Sequence, residues 1–203
     1  MSDLLLVLLP GSMFFWVLFI GQSPLQEILY DAHASILARV LSCPVTATQF
    51  VLAKMVRSFV LCAVSLVSLI LLTWGLFGIR WGNPLVLAVV TFVCAASMTG
   101  LLALIYSIAR TREQATVIAP LVLMTLAMVG GSMFPFENLP PFLQAVGQWT
   151  PNRWGVLLLQ GAARSKPLAE LVRPFLCLSV LGFAGSALAL TQFKKRLERG
   201  GHA

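Results

Sequence analysis

The sequence predicts an all-α integral membrane protein of about five transmembrane helices, with an amphipathic cytoplasmic helix and short extracytoplasmic re-entrant helices. Three observations carry that prediction. Of 203 residues, 59% are hydrophobic and 10% charged, with a mean hydropathy of +0.91, so the chain holds more apolar surface than a water-soluble core of this size can hide. The apolar residues gather in runs near the length that a helix needs to cross the hydrocarbon. The formal net charge of +7 falls in the gaps between those runs. A nucleic-acid binder would gather Lys and Arg on one solvated face, so these charges read as topology signals and no nucleic acid is expected.

The runs place spans at about 4–20, 50–72, 85–109, 115–134 and 174–192, within a single transmembrane domain covering 1–203. Five spans put the termini on opposite sides. Lys194, Lys195, Arg196 and Arg199 in the tail, and Arg110 and Arg112 in a short turn, are assigned to the cytoplasm by the positive-inside rule. The segment 21–49, which carries Arg39 and leads to Lys54 and Arg57, then lies inside as well. The loop around Arg80 and the long segment 134–173 lie outside. That segment carries Arg153, Arg164, Lys166 and Arg173, and long loops weigh little in the rule. Met1 to Asp3 offers no positive region, so the first run is expected to span rather than to be a cleaved signal. Pro10 and Gly11 are expected to bend it.

Residues 23–41 have helical periodicity, with Leu29, Ala32, Ile36, Leu37, Val40 and Leu41 on one stripe and Glu27, Asp31 and Arg39 largely off it. Ser23 is the expected N-cap, Pro24 suits the first turn, and Cys43-Pro44 stops the helix. Such a helix either anchors its loop at the interface or docks a soluble partner. In the spans, Ser97, Gly100 and Leu104 share a face that would permit close helix packing. Isolated Ser and Thr are expected to bond back to their own helix. No Asp, Glu or Lys falls in mid-span, which disfavours a proton-coupled carrier.

Residues 129–154 place Gly130-Gly131 and the prolines 135, 140, 141 and 151 directly after an apolar run. This punctuation reads as a chain that turns at the bilayer surface, lies in the interface and re-enters, with Trp149 and Trp154 at interfacial depth. An ordinary interfacial loop is the plainer alternative. An intramembrane serine protease built on Ser132 would need a nearby histidine, and His33 and His202 fall on the opposite side. Cys43, Cys62, Cys94 and Cys177 show neither disulfide nor metal spacing, and no metal is expected. No G-x-x-x-x-G-K-(S/T) phosphate loop is present, so the chain is not expected to bind ATP or to be an enzyme.

Three phrases occur in a telling order. They are Arg39-Val40-Leu41-Ser42-Cys43-Pro44-Val45-Thr46 followed by Ala53-Lys54; Arg112-Glu113-Gln114-Ala115; and Gly130-Gly131, Phe134-Pro135, Leu139-Pro140 with Thr150-Pro151-Asn152-Arg153-Trp154. In these the chain resembles the permease subunits of ABC type-2 exporters, and it is similar to their second through sixth spans. The resemblance implies a bacterial inner-membrane protein with a cytoplasmic C-terminus that works as a pair with a second permease copy or homologue. It implies a separate ABC ATPase that binds the nucleotide, so no cofactor is expected on this chain. Glu27, Asp31 and Arg39 would then contact that ATPase from a coupling helix. Pro135, Pro140, Pro141, Pro151 and Trp154 would shape an extracytoplasmic re-entrant gate. The cargo would be amphipathic or lipid-like and would move outward. The alternative is an ATPase-independent scaffold, or a non-functional permease remnant whose first span is missing.

Overall fold

The computed structural model describes residues 2–33, 45–79, 81–109 and 111–200, and no strand occurs among them. The helices are α1 (Ser2–Gly21), α2 (Ser23–His33), α3 (Ala47–Phe77), α4 (Pro84–Ile108), α5 (Arg112–Val129), α6 (Pro141–Gly147), α7 (Pro151–Ala163) and α8 (Leu168–Gly200), with a 3₁₀ turn at Phe136–Asn138. The run Leu8–Asp31 and helices α3, α4 and α8 are long and apolar enough to cross a membrane, and Glu113–Val129 is a shorter apolar helix. At 18 residues α5 extends about 27 Å, close to the hydrocarbon thickness. All five expected spans are therefore helices.

Local chemistry sets most of the boundaries. Thr46 caps α3 and completes a capping box with Gln49, while Gly78 closes the helix at φ 64°. Asn83 precedes Pro84 at the start of α4, and Thr111 and Thr150 cap α5 and α7. At α2 the expectation is corrected: the amides of Leu25 and Gln26 bond to the Gln22 carbonyl, so Gln22 takes the cap position and Ser23 already belongs to the helix. The fourth expected span ends earlier than 134, because Gly130 caps α5 and Gly131, at φ 76°, turns the chain back. Pro174 lies inside α8 and does not begin it.

Many large side chains left outside the bundle are apolar, among them Val56, Val60 and Val64 on α3, Val117 and Leu121 on α5, and Val180 and Phe183 on α8. In water they would be a liability; in lipid they are the solvent-facing surface. Inside, α4 and α8 form the most intimate pair. A methyl on Gly100 would lie 2.1 Å from the Gly182 carbonyl oxygen, and one on Gly182 would lie 2.5 Å from Ser97 Cα. The expected small face on α4 is thus a backbone-to-backbone contact, the arrangement that drives helix association where hydrophobic expulsion from water is missing.

The long helices alternate in direction. One end of the bundle collects α2, the starts of α3 and α5, the C-terminus of α4 and the tail of α8. The other collects the 3₁₀ turn, α6, α7 and the start of α8.

Candidate functional site

At the first end, α2 buries Leu25, Ile28 and Leu29 against the bundle. One turn apart on α2, Glu27 and Asp31 face α3, where Lys54 and Arg57 lie one turn apart. Lys54 Nζ donates to Glu27 Oε2 at 2.8 Å and lies 2.9 Å from Asp31 Oδ2, and Arg57 Nη1 donates to Glu27 Oε2 at 2.8 Å. Lys54 and Asp31 are largely withdrawn from water, their side chains 17% and 14% exposed, while Glu27 remains 36% exposed. Four charges held this close satisfy one another, and removing the shared lysine would strand Asp31.

Neutral contacts extend the brace. Tyr106 Oη donates to Gln22 Oε1 at 3.0 Å, linking α4, and Gln26 Nε2 approaches Thr116 Oγ1 at 3.4 Å, linking α5. Ser58 Oγ donates to the Gly21 carbonyl at 2.7 Å. Arg196 of α8 donates to the carbonyls of Ala109 and Ile108 just past α4, where a helix leaves its last acceptors unpaired. Of the expected coupling residues, the structure brings Glu27 and Asp31 together and directs them to α3, and Arg39 lies outside the described residues. From sequence, Lys54 and Arg57 read as charges at a span entrance, Lys54 also as part of the Ala53-Lys54 phrase, and neither as a partner of α2. No local signal could have paired them with residues 27 and 31.

At the second end, Gly130 has room only for hydrogen, since a methyl there would lie 2.5 Å from Asn152 Cβ. Ser132 and Asn152 are buried, and Asn152 Nδ2 donates to Ser132 Oγ at 3.3 Å while Asn152 Oδ1 has no partner among the described residues. Gly155 meets the Phe14 ring so closely that a methyl would lie 2.1 Å from it. Helix α7 therefore penetrates between α1, α4 and α8, as a re-entrant element does.

The expected gate prolines sit where no helical N–H is lost. Pro135 precedes the 3₁₀ turn, Pro140 and Pro141 start α6, and Pro151 is the first residue of α7. Trp149 is 83% exposed, as an interfacial side chain should be. Trp154 is half-buried, with the Arg173 guanidinium 5.7 Å over its ring. Arg153 lies 3.8 Å over the Phe136 ring; burial lowers its pKa and the Glu137 carboxylate opposes that shift. No cluster of three His, Cys, Asp or Glu among the described residues could hold a metal.

A bundle of lipid-facing helices with a charge-braced surface helix at one end and a re-entrant helix at the other defines a polytopic membrane protein. The family model of ABC-2 type transporters matches residues 2–163, and the chain belongs to that family. It is 25% identical over 167 residues to the linearmycin resistance permease protein LnrN of Bacillus subtilis, a stretch covering 80% of this chain and 43% of that protein. It is 31% identical over 177 residues to the inner membrane transport permease YhhJ of Escherichia coli, covering 85% of this chain and 47% of that protein. The chain thus spans less than half the length of these curated relatives. No solved structure matches it.

Proposed function

We propose that this chain is the membrane-spanning permease subunit of an ABC exporter, driven by ATP hydrolysed in a separate ATPase subunit, and is not itself an enzyme. The observation that carries the reading is α2, held at one end of the bundle and tied by named contacts to three spans. A push on α2 reaches α3 through Lys54, α4 through Tyr106 and α5 through Thr116. The ATPase docks on this end, with Glu27 still partly open to it and Arg39 added from the following segment. This end also carries Lys194, Lys195 and Arg196, so it faces the cytoplasm of a bacterial inner membrane. Helices α6 and α7 then cap the path on the outer side, with Pro135, Pro140, Pro141, Pro151 and Trp154 shaping the corner.

The cargo is amphipathic or lipid-like and moves outward. Between α1 and α5 lies an open groove of about 650 Å³ lined by Phe15, Trp16, Phe19, Met124 and Met128 with one hydroxyl, Thr125. Aromatic and thioether surface of this kind suits a mostly apolar molecule and tolerates variation in its shape. A relative named for linearmycin resistance accords with outward transport. A second permease copy completes the path.

The test is co-purification. The tagged chain, expressed in its host and solubilised in mild detergent, is expected to recover a stoichiometric ABC ATPase that hydrolyses ATP. Full membrane insertion without any ATPase would overturn the proposal in favour of an ATPase-independent scaffold.

A further inference from the structure

Among the described residues, Pro10 lies inside α1, Pro120 inside α5 and Pro174 inside α8. Pro10 and Pro174 are buried, and Gly11 beside Pro10 packs on the Ser132 backbone. Pro120 is half-buried and lines the α1–α5 groove. A proline donates no amide hydrogen, so α5 lacks the rung from position 120 to the Thr116 carbonyl, and a helix bends most easily at such a step. Thr116 is also the residue whose hydroxyl meets Gln26 Nε2 of α2 at 3.4 Å.

The packing of α5 differs on the two sides of that step. Its buried side chains, among those described, are Ala115, Ala119, Leu123 and Ala127, a single stripe at four-residue spacing. Before Pro120 that stripe offers two methyl groups, which bury little surface. Beyond it Leu123 is fully buried, and the helix ends where a methyl on Gly130 would lie 2.5 Å from Asn152 Cβ and one on Gly147 would lie 2.3 Å from the Val129 carbonyl oxygen. The far part of α5 is locked in place. The near part is thinly packed and is tied to α2 at Thr116. Val117 on the near part lines the same groove as Phe15, Trp16 and Phe19 of α1.

We propose that α5 is hinged at Pro120 and that α2, through Thr116, sets the width of the α1–α5 groove by way of that hinge. Thr116 and Pro120 are positioning residues. The first receives a displacement of α2, and the second lets residues 112–119 follow it while 121–129 stay packed. Val117 then moves relative to the aromatic wall of α1. A helix without this step would pass the push along its whole length to Gly130, where close packing leaves no room to yield. The use of the motion in transport rests on the exporter reading, whereas the motion itself belongs to this chain alone.

Fluorine NMR of the full chain carrying fluorotryptophan, in mild detergent, tests the hinge. Trp16 lines the groove, and Trp16→Phe picks its signal out from those of the five tryptophans. Gln26→Ala, which removes the bond to Thr116, is expected to shift the Trp16 signal. In a Pro120→Ala background, where the missing rung is restored, the same change should leave the signal in place. Pro120→Ala should unfold no earlier than the wild type on heating, so a lost response reports a stiffened helix and not misfolding. No shift with Gln26→Ala in the wild type would overturn the proposal, and so would an equal shift in the Pro120→Ala protein. Either of those results in a chain that still recovers an active ATPase removes the hinge and keeps the exporter reading. The expected pattern in a chain that recovers no ATPase keeps the hinge and removes that reading.

Discussion

The two ends of the bundle are held together by different physics. At the α2 end the contacts between helices are made by long side chains: Lys54 bridges two carboxylates, Arg57 reaches one of them, and Tyr106 and Arg196 extend to partners on other helices. At the α7 end the backbone itself makes the contacts, with Gly130, Gly147 and Gly155 pressed against Asn152, Val129 and Phe14. Long ionic side chains can follow a small shift of their helices by rotating. Backbone packed on a ring or a carbonyl cannot, because close-packed interiors admit few alternative arrangements. The contrast teaches which end can transmit displacement and which resists it.

Overfilling the rigid end should have the largest effect. Gly155→Leu drives a side chain into Phe14 and is expected to cost about 3 kcal/mol or to prevent insertion of α7, read by thermal unfolding in mild detergent. A protein that unfolds like the wild type would mean that α7 does not penetrate the bundle. At the braced end, Lys54→Met strands Asp31 and should cost about 2 kcal/mol in the same assay. Adding Asp31→Asn should recover part of that loss, and a double-mutant cycle without coupling would remove the brace from the account.

Asn152→Leu sharpens the comparison from the other side. The amide makes one long hydrogen bond and leaves Oδ1 unpartnered, so replacing it should change stability by less than about 1 kcal/mol. A much larger loss would show that the node holds more than this single bond, such as a buried water. Smallest of all, Lys166→Gln breaks an exposed i,i+4 pair whose side chains are about half accessible, and is expected to cost under about 0.5 kcal/mol. Moderate salt should abolish even that difference.

How much of this could be read from residues alone depended on the range of the interaction. The spans were readable because length and apolarity are properties of a run. Thr46 with Gln49, Asn83 with Pro84, and Thr150 with Pro151 mark helix starts within four residues of chain. The Gly130–Gly131 turn and the proline corners were likewise visible, since a proline's missing donor and a glycine's freedom at φ 76° are local facts. Ser23 misled for the same reason that it attracted notice: it has the right chemistry for a cap, but the turn from α1 reaches Gln22 first. The partner of Trp154 was not legible, because the arginine folded over its ring stands 19 residues further along the chain.

By itself, the sequence determined that this protein lives in a bilayer, where its helices run, and where the chain must turn back at the glycine- and proline-rich corner. Run length, backbone donors and rotational freedom act within a few residues, so their consequences need no fold. Only the tertiary structure decided that Glu27 and Asp31 close onto Lys54, that Gly100 meets Gly182, and that Arg173 lies over Trp154. Those pairings join residues far apart in the chain, and which faces of two helices meet is settled by how all of them pack together.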